Sequence, residues 1–363
     1  MSGGARLKQI DGLRGIAALS VMLGHWAELV GAQGAPAAWE EAIRRVFLED
    51  FSFGRMGIVA FFCVSGFVIP FSFRGERPMI AFPISRVFRL YPAYWASILA
   101  AVVIFPLIGA DVFGPLRIAA NLTMIQVVLG QDHILEVYWT LFIEILFYAI
   151  CYCLNGLGLL RERRTNLIAL SGFVGLALIM GLVRWNDPDS NLSVGTPTYL
   201  AAMHLGTLAR LRFLQADDPR AATTYRIGLL ILLVGATVAN TLAYHHAPNE
   251  ILGWLAAVLG YLAGILLFVL CIERGWFGGS LLPFLGLISY SMYLFHAVVI
   301  TVAAAFWPDA MGWLLATALT TPIYFALTIA LAIPVHRWIE RPGIRLGRSL
   351  EAAIDRRLDS RIS

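Results

Sequence analysis

Three ionisable side chains interrupt the first long apolar stretch of the sequence, DGLRGIAALSVMLGHW, which runs from Asp11 to Trp26. On an α-helix Arg14 and His25 would differ by about 20° in azimuth and about 16 Å in depth. Asp11 and Glu28 fall near the same line, because residues three apart are neighbours on a helix surface. Charge inside an apolar helix is costly and by default marks a functional site. We therefore predict one polar stripe, carrying an arginine that can hold anions and an imidazole that titrates near neutral pH.

A structural interpretation of the same stretch is also open. Asp11 and Arg14 could extend their charged ends to the membrane edge, and His25 could hydrogen-bond a neighbouring helix. A polar stripe that runs from the inner surface to the outer half of a span favours the functional interpretation, since it suits a protein that handles reagents from both sides.

The rest of the composition indicates many membrane spans. Of the 363 residues, 59% are hydrophobic and only 14% are charged, whereas soluble domains carry about a quarter charged residues. Apolar runs of about 20 residues recur, and each can cross about 30 Å of hydrocarbon. We predict an all-α polytopic membrane protein with about ten transmembrane helices. The predicted spans are 10–30, 53–73, 88–109, 137–158, 166–183, 197–214, 226–243, 251–271, 284–305 and 312–336.

The segments between and after the spans carry little further signal. Residues 116–130 are short and studded with polar side chains, so we predict an interfacial or re-entrant piece. We expect one transmembrane domain over 1–345 and a short basic tail over 346–363. The tail could form a surface helix, but a simple positive stop is the favoured interpretation. No cleavable signal peptide is expected, and the absence of a GxxxxGK[ST] loop argues against a nucleotide-driven pump. The four cysteines have neither disulfide nor metal spacing, which favours packing roles and no metal site.

Basic residues in short loops predict the orientation of the spans. With the N-terminus inside, the inner segments hold all but five of the 27 lysines and arginines, and both termini are cytoplasmic. The five outer residues are Arg44, Arg45, Arg55, Arg117 and Arg184. The net charge of +4 indicates no nucleic-acid partner, because anionic membrane lipids favour basic residues at inner loops.

Two further stretches place ionisable groups in or beside predicted spans. RVFRLYPAYW puts Arg86 and Arg89 on one face at the cytoplasmic start of the third span, where they can anchor topology or grip phosphates in bidentate fashion. VYWTLFIEILFY places Glu144 about two turns into the fourth span, where a purely structural carboxylate is the less favoured interpretation.

Two other stretches supply supporting groups. SYSMYLFH carries Tyr290, Ser291 and His296 in the ninth span, and His296 is more often a packing or orienting group than a base. FFCVSGFVIPFS carries Ser65 beside Gly66 in the second span. Small residues there favour close helix approach over a nucleophilic serine, because no G-x-S-x-G elbow surrounds Ser65.

Together these motifs resemble acyltransferase family 3, a family of bacterial integral-membrane O-acyltransferases. The resemblance rests on the arginine and histidine of the first span, FFCVSGF, the RxxR before YPAYW, the W-x-x-x-x-E around Glu144, SYSMYLFH, and WIERP near the end of the chain. They occur in the family's order between about residues 7 and 342. The sequence departs from the family at Thr140, where serine is common, and at Ile145, where a polar or aromatic residue is common.

The resemblance implies transfer of an acyl group, most often acetyl, from cytoplasmic acyl-CoA to a hydroxyl of a carbohydrate or glycolipid. Acyl-CoA would be a co-substrate, with no bound cofactor and no metal. It further implies a multi-pass protein of the bacterial cytoplasmic (inner) membrane, in contact with membrane lipids. The acceptor, the acyl chain length and a homo-oligomeric state stay open.

The resemblance also assigns roles to the residues above. Phosphates of acyl-CoA would be bound by Arg14, Arg86 and Arg89. His25 would act as the base, oriented by Glu144 or Asp11. The supporting residues would be Ser65, Tyr290, Ser291 and His296, with Tyr290 or Ser291 donating to the oxyanion.

Direct transfer and an acyl-histidine intermediate both stay open, and so do two other functions. A secondary transporter could use Arg14, His25 and Glu144 as a proton or substrate pathway, although no internal repeat supports it. An acyltransferase could instead act on an antibiotic or another small hydroxylated metabolite.

Overall fold

The computed structural model describes residues 3–33, 36–245, 253–308 and 311–359, and over these residues the chain is helical without a β-strand. The predicted all-α class is therefore confirmed. Its α-helices are α1 (Gly3–Ala32), α2 (Ala37–Ile43), α3 (Phe53–Val68), α4 (Pro78–Leu107), α5 (Pro115–Asn121), α6 (Trp139–Gly156), α7 (Arg163–Asn186), α8 (Gly195–Leu214), α9 (Pro219–Tyr244), α10 (Trp254–Arg274), α11 (Leu281–Leu287), α12 (Ser289–Ala305), α13 (Trp313–Val335) and α14 (Arg341–Asp359). Two π-helical turns, Arg44–Glu49 and His336–Glu340, follow α2 and α13.

Eight of the described helical segments are long and apolar enough to cross a membrane, or nine if α11 and α12 form one broken span. The chain is thus a multi-pass membrane protein with fewer such helices than the ten predicted spans. Two predicted spans make the difference. The span 284–305 is the bent pair of α11 and α12. The span 197–214 folds as α8, which at 20 residues is long enough but is not apolar enough for a spanning helix. Its residues are buried on nearly every side and pack against α3, α7 and α9, so protein rather than lipid surrounds this helix.

The polar-studded segment 116–130 contains only the short helix α5, followed by turns. Two side chains of α4 hold this segment through its backbone carbonyls. The Tyr94 hydroxyl donates to the Asn121 carbonyl at 2.6 Å, and the Trp95 indole donates to the Leu122 carbonyl at 3.0 Å. The segment is therefore attached to α4 and is not an additional spanning helix.

The described end of the chain is helical. Residues 346–359 continue α14, which packs on α4, and their role as a positive stop stays a prediction. A Cβ at Gly343 would lie 2.7 Å from the Phe88 carbonyl oxygen, and one at Gly347 would lie 2.8 Å from the Phe88 Cβ. Arg77, the residue just before α4, also pairs with Asp355 at 3.3 Å. These contacts explain the helix, because glycines on one face let α14 approach α4 closely.

The described chain divides into two compact units. Unit 1 comprises Met1–Pro70 and Leu146–Leu287, and unit 2 comprises Phe71–Ile145 and Ile288–Ser363. In unit 1, α3 packs against α1, α8 and α10, while α7 packs on α8 and α9. In unit 2, α4 packs against α12 and α14, and α12 packs on α13.

Backbone contact at glycines fixes the centre of unit 1. A Cβ at Gly66 of α3 would lie 1.7 Å from the Met203 carbonyl oxygen of α8, and one at Gly206 would lie 2.1 Å from the Cys63 carbonyl oxygen. No side chain fits at either position, so the two helices touch through their backbones. The predicted role of the small residues in FFCVSGF, close helix approach, is confirmed at Gly66.

Gly66→Ala should therefore destabilise the protein. The added methyl group meets backbone rather than a movable side chain, and overpacking of this kind typically costs about 1–3 kcal/mol. Thermal unfolding of the detergent-purified protein should show a lower Tm than for the unsubstituted chain. Gly172→Ala on α7 is the matched control, because nothing lies within 4 Å of its new Cβ. Equal melting temperatures for the two variants would contradict the described contact between α3 and α8.

Candidate active site

The polar stripe predicted from the first apolar stretch lies on a single continuous helix, α1, in unit 1. Near its start the Arg14 guanidinium lies 3.9 Å from the Asp11 carboxylate, one turn earlier. The two side chains are partly exposed, at 20% and 41%. At this end of the stripe, the Asp11 carboxylate therefore balances part of the Arg14 charge.

At the other end of the stripe, Nδ1 of His25 lies 3.1 Å from a carboxylate oxygen of Glu28. A carboxylate accepts a hydrogen bond only from a protonated nitrogen, so the neutral ring carries its proton on Nδ1 and its lone pair on Nε2. The His25 side chain is 31% exposed, so neighbouring residues do not enclose it. The ring is thus held in the tautomer that a proton-accepting Nε2 requires.

The structure places Glu28 on Nδ1 of this ring, and of the two carboxylates that the sequence interpretation named it excludes Asp11. Asp11 lies about 21 Å before His25 along α1, so it cannot reach the ring and instead pairs with Arg14. Glu144 lies partly buried on α6, in unit 2, and its role stays a prediction. Glu28 lies on the predicted stripe, but the sequence interpretation assigned it no role. Its spacing of three residues from His25 was the signal that could have found it.

Glycines position this helix as they do α3. A Cβ at Gly12 would lie 2.0 Å from the Phe277 carbonyl oxygen, and one at Gly286 of α11 would lie 1.7 Å from the Asp11 carbonyl oxygen. Further along, a Cβ at Gly57 of α3 would lie 2.4 Å from the Ala17 carbonyl oxygen. Backbone contacts with α11 and α3 therefore fix α1 along the stretch between the two ion pairs.

In unit 2 the two arginines of RVFRLYPAYW lie on α4. The Arg86 guanidinium sits 5.5 Å from the centre of the Phe82 ring and donates to the Ser85 hydroxyl at 3.3 Å. It also lies close enough to Glu351 of α14 to stabilise the charge of that carboxylate. Arg89 is partly exposed and forms no ion pair with a described residue. Neighbouring side chains thus hold the Arg86 guanidinium, whereas no described carboxylate pairs with that of Arg89.

Tyr290 and Ser291, at the start of α12, both have partners in unit 2. The Tyr290 hydroxyl donates to the Leu90 carbonyl of α4 at 2.9 Å. The Ser291 hydroxyl donates to the Glu340 carboxylate at 3.1 Å. Both hydroxyls therefore connect helices, and the oxyanion contact that the resemblance implied stays a prediction.

The Glu340 carboxylate belongs to a second histidine–carboxylate pair. Nδ1 of His336 lies 2.9 Å from the same oxygen that accepts from Ser291, and both His336 and Glu340 are buried. In the described chain the buried Nε2 of His336 has no hydrogen-bond partner. The sequence interpretation missed His336, although its spacing of four residues from Glu340 was a usable signal.

The other candidates of the sequence interpretation are placed as follows. His296 on α12 is fully buried, with its ring 5.6 Å from the Tyr293 ring. Ser65 on α3 is partly buried beside Gly66. Among the residues that the structure describes, no three histidine, cysteine or carboxylate side chains come together as a metal ion would need.

The family model described as an acyltransferase domain, that of acyltransferase family 3, matches residues 7–337. The chain belongs to this family. The match begins before Asp11 and ends one residue after His336, so it covers the α1 stripe, the arginine pair and Ser291. No curated protein and no solved structure matches the sequence.

One departure from the family pattern has a structural explanation. Thr140 stands where family members commonly have serine, and its hydroxyl lies 2.7 Å from the Tyr293 hydroxyl and donates to the Val137 carbonyl at 2.9 Å. The Tyr293 hydroxyl also donates to the Val137 carbonyl at 3.1 Å. Threonine keeps the hydroxyl that these contacts use, so the substitution preserves the connection between α6 and α12.

Glu340→Ala should destabilise this acyltransferase, because it leaves the His336 and Ser291 donors buried without their acceptor. The expected loss is about 3 kcal/mol, the cost of breaking a buried charged hydrogen-bond network. It should appear as a lower Tm in detergent. Glu76→Ala is the control, since Glu76 is an exposed carboxylate of the same unit. A Tm that changes no more in the first variant than in the second would show that the network contributes nothing to stability.

Proposed function

We propose that the protein transfers an acyl group, most simply acetyl, from acyl-CoA to a hydroxyl of a carbohydrate or glycolipid. Membership of the acyltransferase family supports the reaction class. The main structural support for the proposed chemistry is the hydrogen bond between His25 Nδ1 and Glu28. It supplies what acyl transfer to a hydroxyl needs first, a histidine whose Nε2 can take a proton.

In this mechanism the acceptor hydroxyl gives its proton to Nε2 of His25 while its oxygen attacks the thioester carbonyl carbon. The carbon–sulfur bond then breaks, and coenzyme A leaves as a thiolate that takes up the proton. Glu28 stabilises the imidazolium that forms between these two steps, as the acidic member of a catalytic triad does. General-base catalysis of this kind contributes about 10²- to 10⁴-fold to the rate.

The donor is proposed to be held by its phosphates. Acyl-CoA is a polyanion, and guanidinium groups bind phosphate through two parallel charge-assisted hydrogen bonds. Arg86 and Arg89 lie three residues apart on α4, so they share one helix face, and Arg89 is not committed to a described carboxylate. Arg14 is a third candidate, although Asp11 already balances part of its charge.

The proposal includes a location and an orientation. The bias of basic residues predicts that both termini face the cytoplasm, and the family resemblance predicts the bacterial cytoplasmic membrane. The start of α4 would then lie on the cytoplasmic side, where acyl-CoA is found. Reporter fusions at both ends of the chain test this orientation directly.

His25→Ala should reduce acetyl-CoA turnover by about 10²- to 10⁴-fold, the contribution of a general base. The measurement is release of the coenzyme A thiol by detergent-purified protein supplied with acetyl-CoA and a carbohydrate acceptor. His245→Ala is the matched control, because His245 is an exposed histidine of the same unit. Full turnover in a folded His25→Ala variant would remove the catalytic assignment, and gradient-driven solute flux without thioester cleavage would favour a transporter.

Replacing Arg86 and Arg89 together by Gln should raise the KM for acetyl-CoA roughly ten- to a hundredfold, because charge-assisted contacts to phosphate are lost. S-acetylpantetheine lacks the nucleotide phosphates, so its turnover should be the same in this variant and in the unsubstituted protein. Arg345→Gln, an exposed arginine of α14, is the control. An unchanged KM for acetyl-CoA, or an equal loss with both donors, would assign the two arginines to topology or folding.

A further inference from the structure

Three helices of unit 1 surround an arginine that a fourth helix carries and that the mechanism does not use. Arg55 lies in the first turn of α3, where the Ser52 hydroxyl accepts from its backbone N–H at 3.2 Å. Its guanidinium carbon sits 5.1 Å from the centre of the Tyr244 ring on α9 and 5.5 Å from that of the Tyr261 ring on α10. Tyr199 of α8 stacks on Tyr261 with 5.2 Å between ring centres. Arginine and aromatic rings thus form a compact box at this end of the unit.

The partners of this cation within the described chain are all neutral. Its guanidinium donates to the Asn240 amide oxygen at 3.4 Å and also hydrogen-bonds Tyr244. No described carboxylate pairs with it. Tyrosine faces and an amide oxygen compensate a desolvated charge less well than a carboxylate does. The positive end of the α3 dipole adds to the same local potential. Arg55 therefore retains charge that the described residues do not neutralise.

A second guanidinium lies against the same ring. The guanidinium carbon of Arg184, at the end of α7, also lies 5.1 Å from the centre of the Tyr244 ring, and Arg184 is buried. Two arginines therefore share one tyrosine. The Tyr261 hydroxyl is buried and has no hydrogen-bond partner within the described chain, so it is a donor available to an incoming oxygen atom.

We propose that Arg55, with the Tyr261 hydroxyl, binds an oxyanion, either a carboxylate or a phosphate ester, carried by the acceptor. Arg55 is partly exposed, so a ligand group can reach it. A guanidinium fork fits two oxygens of either anion, and tyrosine rings provide flat surfaces for the apolar faces of a sugar. The arginine distribution predicts that Arg55 and Arg184 lie on the outer side, opposite the cytoplasmic donor. Only the link to the acceptor rests on the proposed function; the binding of an oxyanion does not.

Thermal unfolding in a neutral detergent tests the site without requiring turnover. The probes are glucuronate, inorganic phosphate and uncharged glucose, each titrated at constant ionic strength. A ligand that binds the folded state raises the Tm with concentration. At least one oxyanion should raise the Tm saturably while glucose does not. Glucuronate alone would identify a carboxylate, and phosphate alone would identify a phosphate ester.

Arg55→Gln should weaken this binding at least about tenfold, the effect of losing a charge-assisted contact. Arg45→Gln, an exposed outer arginine paired with Glu41, should bind as the unsubstituted protein does. Arg55→Lys keeps the charge but loses the planar fork, so it should bind more weakly than arginine, and it serves if the glutamine variant does not fold. No saturable shift with either oxyanion, or undiminished binding in a folded Arg55 variant, would overturn the proposal.

Measuring coenzyme A release in the same samples separates the two proposals. Oxyanion binding without acetyl-CoA turnover would remove the proposed function and leave the site. Turnover without oxyanion binding would remove the site and leave the proposed function.

Discussion

The cost of placing charge on an apolar helix governs the chemistry of this protein. On α1 and around the end of α13, that cost is reduced by partners about one turn away on the same helical segment. Asp11 pairs with Arg14, Glu28 with His25, and Glu340 with His336. Such partners come into place as soon as the helix forms, since the backbone sets their spacing. A histidine can therefore be oriented by its own helix while its side chain stays partly exposed, as that of His25 is, at 31%.

A second constraint fixes the helices that carry these pairs. Where α1 meets α11 and α3, and where α3 meets α8, glycines bring backbones into direct contact. Without a hydrophobic driving force between helices in lipid, close packing of this kind is a main source of association. A glycine contact also leaves little freedom to slide or rotate, because a backbone has no rotamers. The ion pairs along α1 are thus held by a helix whose own position is tightly determined.

The sequence predicted what depends on short-range patterns. Hydropathy identified the spanning helices, and the spacing of Arg14 and His25 predicted one stripe on one continuous helix. Hydropathy did not distinguish α8 from a spanning helix, because a helix buried in protein and a helix buried in lipid require similar side chains. The Glu28 and His336 pairings were visible as helical spacing. The contact of Ser291 with Glu340, 49 residues apart, depends on how α12 packs and has no local signal. The polar surroundings of Arg55 come from four helices and could not be read from any one of them.

The π-helical turn at His336–Glu340 has a consequence for the two helices that it joins. A π-turn inserts about one extra residue into an α-helix, so everything after it is rotated by about 100° relative to an uninterrupted helix. The turn, and not α13, therefore determines which face of α14 points toward α4. The apolar pattern of α13 and the glycine-bearing face of α14 can each suit their own surroundings, although the chain passes from one to the other without a loop. Removing one residue from this turn would restore the ordinary helix and carry Gly343 and Gly347 away from Phe88.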